Sequence, residues 1–175
     1  MSRSAASITA LPPERLGLES RSQADDHLDV RMWLRLQASS NDIEQGIRTR
    51  LRQRFDTTLS RFDYMAQLER HPQGLRMSRL SQCLMVTGGN VTGLTDQLVA
   101  EGLVERVEDP QDRRAWIVKL TLLGAERFAE MAAEHEGWIS ELFSDMSTAD
   151  KKQLFKLLGQ LRQALHPSAQ LVGRS

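Results

Sequence analysis

Apolar residues recur every three or four positions between residues 28 and 55, and this period predicts a long amphipathic helix. Ser60 is placed as the N-cap of a second helix. Ser78 opens a short third helix, and Thr87 caps a fourth, which ends at Gly102. The sequence from residue 28 to Gly102 therefore predicts four helices in succession.

The fourth predicted helix is polar on one side only. Its apolar residues, Val91, Leu94 and Leu98, fall on one stripe, while small and polar residues occupy the opposite face. Two helices joined by so short a turn, the second with a free polar face, have the layout of a helix-turn-helix.

After Gly102 the period of the pattern changes from 3.6 to 2. Residues 103–108 and 115–120 read as strands, and residues 109–112 suit a tight turn with Pro110 in its second position. A β-hairpin directly after a helix-turn-helix is a wing. Beyond it, Thr121 caps a further helix whose packed side runs from Leu123 to Leu142, and Ser147 starts a last one with leucines at heptad-like spacing.

The predicted fold class is mainly α with a small β-hairpin wing, that is, a winged helix-turn-helix plus an α-helical dimerisation lobe. The apolar faces of the first helix and the last two exceed what a winged-helix unit can cover, so we expect a homodimer. The expected division has five parts. These are a flexible arm (1–27), a dimerisation and ligand-lobe helix (28–59), a winged helix-turn-helix DNA-binding domain (60–121), C-terminal dimerisation helices (122–166) and a tail (167–175).

The charge of the chain first argues against a nucleic-acid partner. Lys and Arg together number 23, and so do Asp and Glu, so the formal net charge is zero. Phosphate binding depends mainly on Lys and Arg that displace counterions, so any positive face must arise from folding. The sequence also shows no apolar run of membrane-spanning length, and residues 1–20 lack the core of a signal peptide, which predicts a cytoplasmic protein.

Several segments together resemble the MarR family of bacterial transcriptional regulators. They are 75–81, 86–98, 101–106, 109–114 and 118–121, and the wing is the most specific of them, with Asp112, Arg113 and Arg114 ahead of a strand that ends in Leu120 and Thr121. The resemblance implies a homodimer that binds a pseudo-palindromic, double-stranded DNA operator.

The resemblance also implies which residues meet DNA. The fourth helix would lie in the major groove, and the second arginine of the wing motif would reach into the minor groove, with the preceding aspartate two positions away on the same strand face to orient it. Common relatives carry an Arg or a bulky residue at the positions of Gly88 and Gly93. We therefore expect DNA recognition by this chain to depend less on direct contacts with bases and more on phosphate contacts, DNA shape and water. The expected DNA-binding residues are Thr87, Gly88, Gly89, Asn90, Thr92, Gly93, Gln97, Asp112, Arg113 and Arg114.

Family members are usually released from DNA by a small ligand between the two lobes. Segments 31–36 and 52–63 resemble a subgroup that senses aromatic acids or their CoA thioesters, such as hydroxycinnamoyl-CoA. Aromatic side chains could form an apolar slot while arginines meet a carboxylate or phosphates, although each aromatic also suits a plain core role. The expected ligand residues are Trp33, Arg35, Arg54, Arg61, Phe62 and Met65.

Other functions remain as alternatives. No nucleophile elbow, Walker lysine or His-Glu metal motif is present, and the four histidines are widely spaced, so we expect no enzyme activity, no cofactor and no metal site. Cys83, on the third helix, could sense oxidants, although a small buried cysteine is the more common outcome. A winged helix that binds a protein instead of DNA is the other alternative.

Overall fold

The computed structural model describes residues 28–84, 88–110 and 112–166. The expected arm (1–27) and tail (167–175), and the residues Thr87 and Gln111, lie outside the described residues. Over the described ranges the chain forms, in order, α1 (Leu28–Phe55), α2 (Leu59–Glu69), β1 (Leu75–Arg76), α3 (Met77–Leu84), α4 (Gly88–Ala100), β2 (Val104–Asp109), β3 (Asp112–Leu120), α5 (Leu122–Leu142) and α6 (Thr148–Leu165).

The predicted helices are confirmed, except for the starts of two of them. α3 begins at Met77, so Ser78, which was expected to open it, lies in its first turn. Ser60 was the expected N-cap of α2, and this was wrong, because Ser60 lies inside the first turn. The cap is Thr58, whose backbone is extended (φ −105°, ψ 156°) and whose hydroxyl accepts a hydrogen bond from the Arg61 amide at 3.3 Å. The expected caps of α5 and α6 are confirmed, since Thr121 accepts from the Gly124 amide and Ser147 from the Asp150 amide.

The wing is a three-stranded antiparallel sheet in the order β1-β3-β2. Its hairpin, β2 and β3, was predicted, but the turn is shorter than expected because Asp109 and Asp112 are themselves paired strand residues. The third strand, β1, is only two residues long and was not predicted. Leu75 and Arg76 pair with Val118 and Ile117 of β3, so the sheet extends back to the start of α3.

The core lies between α2, α4 and the sheet. α5 packs against α2 and α1 and closes one side of this core. Aromatic rings link α2 to α5, since Phe62 lies 5.4 Å from Phe128 and 4.8 Å from His135 between centroids. The fully buried side chains of this core include Leu51, Tyr64, Met65, Leu68, Leu80, Val91, Leu98, Val104 and Val118.

We call α1, α5 and α6 the helical lobe, and much of its apolar surface is uncovered in the single chain. The structure buries no residue of α6, where Phe155 is 82% exposed. In α1 the buried residues are Ile47 and Leu51, while Trp33 near its start is 59% exposed. Leu123, expected on the packed side of α5, is exposed, so that assignment was wrong. No helix among the described residues is long and apolar enough to cross a membrane.

Candidate nucleic-acid interface

The helices α3 and α4, followed by the sheet, form a winged helix-turn-helix. Thr87, the expected N-cap of α4, lies outside the described residues. On α4, Val91, Thr95 and Leu98 are buried against the core, at the spacing expected of one helical face. Gly102 follows the helix with φ +71°, a left-handed conformation that glycine adopts freely, and the predicted helix end is confirmed.

The opposite face of α4 is exposed and carries the polar residues predicted from the sequence. A Cβ atom added at Gly89 or Gly93 would meet nothing within 4 Å, so at these two positions the helix backbone itself is open to a partner. Gly88 is the first residue of α4. The structure therefore brings most of the expected groove-facing residues to one surface, namely Gly89, Asn90, Thr92, Gly93 and Gln97.

A buried hydrogen-bond chain fixes the rotation of α4 about its axis. Thr95 Oγ1 donates to the Val91 carbonyl at 2.7 Å, so the Tyr64 hydroxyl of α2 is the donor in its 2.6 Å contact with Thr95 Oγ1. Burial raises the pKa of Tyr64, against a smaller lowering by the Thr95 hydrogen bond, which keeps the phenol protonated as a donor. This pair was not predicted from the sequence. Its only available signal was a hydroxyl residue within the apolar stripe of α4.

Ion pairs brace the wing. Arg106 of β2 pairs with Asp96 of α4. Arg76 of β1 pairs with Asp109 at the end of β2, with 2.5 Å between Nε and Oδ2. A third pair, Lys119–Glu105 at 3.1 Å, crosses the hairpin. The fold thus neutralises several cations of the winged part locally.

The wing motif lies at the start of β3. Asp112 is exposed and is the Cα partner of Asp109. Arg113 and Arg114 follow it within the strand, while their side chains lie outside the described part of the structure. The expected contacts of these arginines with DNA therefore stay a prediction.

The helical lobe contains its own ion pairs. Glu141 pairs with Arg50 at 2.6 Å and Glu134 with Arg54 at 3.4 Å, and both pairs join α5 to α1. Among the described residues, acidic and basic side chains therefore pair within the helical lobe as well as within the winged part.

The expected ligand residues fall in different places. Arg61 and Met65 line a cavity of about 300 Å³ between α1, α2, α5 and the end of α4. Arg54 lines a separate, more open groove of about 520 Å³ between α1 and α5. Phe62 is a buried core residue, while Trp33 and Arg35 lie on the exposed first half of α1 and line neither cavity.

The smaller cavity has one notable polar feature. Arg61 Nη2 pairs with Glu101, the residue after α4, while Arg61 Nε is buried with no hydrogen-bond partner among the described residues. Three of the other lining residues, Phe55, Asp56 and Thr57, lie within segment 52–63. The remaining four come from distant parts of the chain and could not be found from the sequence, namely Glu101, Leu103, Arg127 and Met131.

Cys83, the candidate redox residue, lies on α3 and is half-buried, not fully buried as expected. In the described residues it is a free thiol. The redox alternative therefore stays a prediction.

A helix-turn-helix with a polar outer face and an adjoining wing defines the winged-helix class of transcriptional regulators. The model of the MarR family matches residues 55–115. The chain is 30% identical over 108 residues to the uncharacterized HTH-type transcriptional regulator YhbI of Bacillus subtilis, covering 61% of this chain and 69% of YhbI. It is also 32% identical over 91 residues to the transcriptional repressor MprA of Escherichia coli, covering 52% of each. The chain belongs to the MarR family.

Solved structures agree with this assignment. A MarR family regulator from Silicibacter pomeroyi superposes with a TM-score of 0.69 at 28% identity, covering 83% of this chain and 100% of that one. MepR of Staphylococcus aureus in a DNA complex superposes with a TM-score of 0.64 at 25% identity, covering 74% of this chain and 94% of MepR. Alignments with several of the curated relatives span little more than half of their length.

The open backbone at Gly93 leads to a test of the α4 surface. Replacing Gly93 by Ala should raise the free energy of unfolding by about 0.5 to 1 kcal/mol, because alanine favours a helix. It should also weaken operator binding, because the added methyl group occupies the surface that approaches DNA. Denaturant titration and fluorescence anisotropy with labelled duplex would measure the two effects.

Gly46→Ala on α1 is the matched control, since a Cβ atom there also meets nothing within 4 Å. It should stabilise the protein similarly and leave DNA affinity unchanged. An unchanged affinity of Gly93→Ala would contradict a close approach of DNA to this part of α4.

Proposed function

We propose that the protein is a ligand-responsive, DNA-binding transcriptional regulator that acts as a homodimeric repressor of an aromatic-compound catabolic operon. The observation that carries DNA binding is the exposed polar face of α4, held outward by the buried Tyr64–Thr95 contact beside a braced wing. A relative named as a transcriptional repressor and a similar structure in a DNA complex support the proposal.

On DNA, α4 would enter the major groove by its first turns. The described part of α4 holds no Lys or Arg, so phosphate contacts there come from backbone N–H groups at the helix start, with the positive end of the helix dipole. Asn90 and Gln97 carry side-chain amides that can donate to and accept from base edges. Arg114 would supply the minor-groove contact from the wing.

A second copy of the chain is the partner that best fits the uncovered helical lobe. Apolar side chains are exposed at both the first half of α1 and along α6, where the largest are Trp33 and Phe155. A two-fold dimer would cover both surfaces and present two α4 helices to successive major grooves, which matches a palindromic operator.

The effector site in this proposal is the cavity at Arg61. Its volume of about 300 Å³ lies at the lower end of the usual range for small-molecule sites. An aromatic acid, or the acyl end of a CoA thioester, fits that size, and the CoA nucleotide would lie outside. The carboxylate of a free aromatic acid, or the carbonyl oxygen of a thioester, would supply the acceptor that the buried Arg61 Nε lacks among the described residues.

The same arginine links the cavity to the DNA-binding helix. Nε and Nη2 form one edge of the guanidinium, and Glu101 occupies Nη2. A ligand carboxylate that binds both nitrogens therefore competes with Glu101, which directly follows α4. This competition gives ligand binding a route to the position of α4.

Arg114→Ala should weaken binding to an operator duplex, selected from a random DNA pool, by about tenfold, the scale of one lost specific contact. Arg48→Ala on α1 is the control, because this exposed arginine pairs within its own helix with Glu44, and it should bind as the unaltered protein does. Gel shift at fixed salt measures both, and equal affinity of Arg114→Ala would refute the wing assignment.

Raising the salt concentration should weaken binding steeply, because released counterions accompany phosphate contacts. If the random pool yields no operator duplex and a protein partner binds with an affinity that is insensitive to salt, the protein-interaction alternative is favoured instead.

Light scattering at micromolar concentration should give twice the 19.8 kDa mass of the chain. Phe155→Asp should shift the mass toward one chain, because it places a charge within the apolar surface of α6. Gln153→Asp, on the same helix, is the matched control and should leave the dimer intact. A single-chain mass for the unaltered protein would disprove the homodimer.

Hydroxycinnamate or hydroxycinnamoyl-CoA should bind with measurable heat in calorimetry and lower operator affinity. Arg61→Gln should weaken ligand binding by about tenfold, on the scale of a charge-assisted hydrogen bond. Arg54→Gln, in the separate groove, is the control and should bind normally. The absence of heat and of any effect on DNA affinity with both ligands would remove this effector class.

A further inference from the structure

Asp109 is a buried carboxylate at the tip of the wing. It is the last residue of β2, and only 4% of it is exposed. Arg76 Nε donates to its Oδ2 at 2.5 Å. A carboxylate removed from water needs charged or hydrogen-bonding partners, and Arg76 is one of those that hold Asp109 in place.

Arg76 is itself held in place by the sheet. It belongs to β1, where it pairs with Ile117 of β3, and the next residue, Met77, begins α3. Gly74 makes this pairing close, because its φ is +84° and an added Cβ atom would lie 2.5 Å from Ile117 Cγ2. Arg76 thus sits where the helix-turn-helix joins the wing.

The position of Asp109 determines how the hairpin ends. The register between β2 and β3 shifts between Glu108 and Asp109, and such an irregularity bends a strand and re-aims the residues after it. Across from Asp109 lies Asp112, at the start of the segment that carries Arg113 and Arg114. Anything that fixes Asp109 therefore fixes the backbone of that segment.

The base of the hairpin has a separate brace. Arg106, which lies three residues before Asp109 in β2, pairs with Asp96 of α4. With the β2–β3 ladder, this contact holds the base of the wing against the DNA-binding helix. The Arg76–Asp109 pair acts farther out, at the tip, so its loss should change the aim of the tip while the hairpin stays folded.

We propose that Arg76 is a positioning residue for DNA binding: through Asp109 it fixes the wing segment that carries Arg114 relative to α3 and α4, and it does not itself bind DNA. The proposal rests on the proposed DNA-binding function. Because the Arg76 side chain is 44% exposed, the competing role is a direct contact with a phosphate.

A double-mutant cycle with Arg114 separates these roles. Arg76→Gln should weaken operator binding about tenfold in the otherwise unaltered protein and have no further effect in the Arg114→Ala background, where the contact it positions is already gone. Arg76→Lys should recover part of the affinity, since it keeps the charge beside Asp109. Fluorescence anisotropy with the selected operator duplex, at several salt concentrations, measures the four proteins of the cycle and Arg76→Lys.

Two further variants separate positioning from general loss of structure. Asp109→Asn breaks the pair from the other side, so it should reproduce the Arg114-dependent loss, and combining it with Arg76→Gln should add nothing. Lys119→Gln is the matched control, because it breaks the Lys119–Glu105 pair of the same hairpin away from the tip, and it should bind normally. Thermal unfolding of each variant confirms that it is folded at the assay temperature.

The alternative outcomes all overturn the proposal. Losses that add in the Arg114→Ala background, with a salt slope of log Kd smaller by about 0.9, would show a direct phosphate contact. An unchanged affinity of Arg76→Gln would show no role, and a loss that matches the unfolded fraction would show a structural one. A normal affinity of Arg114→Ala alone would show that the wing assignment itself has failed.

Discussion

One requirement governs the DNA-binding half of the molecule: α4 must bury one face and leave the other free. The Tyr64–Thr95 hydrogen bond sets which face is which. Both groups are fully buried. Rotating α4 by one residue would carry Thr95 away from α2, together with its bond to Val91, and would leave the buried Tyr64 hydroxyl without its acceptor, at a cost of about 1 to 3 kcal/mol. The position of Gly89, Asn90 and Gly93 on the outside is a direct consequence.

Much of the fold could be predicted from the sequence because it is built from local patterns. The period of the apolar residues located the helices, and the change of period located the hairpin. The cap of α2 was missed because Thr58 and Ser60 both offer a hydroxyl there, and only the extended backbone at Thr58 distinguishes them. The strand β1 was missed because two residues carry no period; a long-range pairing with β3 defines it.

The candidate site divides in the same way. The polar face of α4 follows from helical geometry, so its residues could be found from sequence alone. The partners of the arginines could not, since Arg61–Glu101 and Arg76–Asp109 join residues more than thirty positions apart. The cavity at Arg61 likewise includes Arg127, which is distant in sequence and was not predicted. Trp33 and Arg35, which were predicted, lie on the first half of α1 and do not line the cavity. The zero net charge follows from composition, but which cations are neutralised by a neighbouring carboxylate is decided only on folding.

The exposed state of α6 makes the stability of the protein depend on its concentration. A helix of 18 residues that buries none of them gains little from packing within its own chain, and isolated helices of this length are marginal in water. Only Lys151 and Leu161 are half-buried within the chain, so most of the packing that orders the helix has to come from a partner surface. If that partner is a second copy, the midpoint of thermal unfolding rises with protein concentration by mass action. The cellular concentration of such a regulator would then determine which fraction of it is folded, as well as which fraction of the operator DNA it occupies.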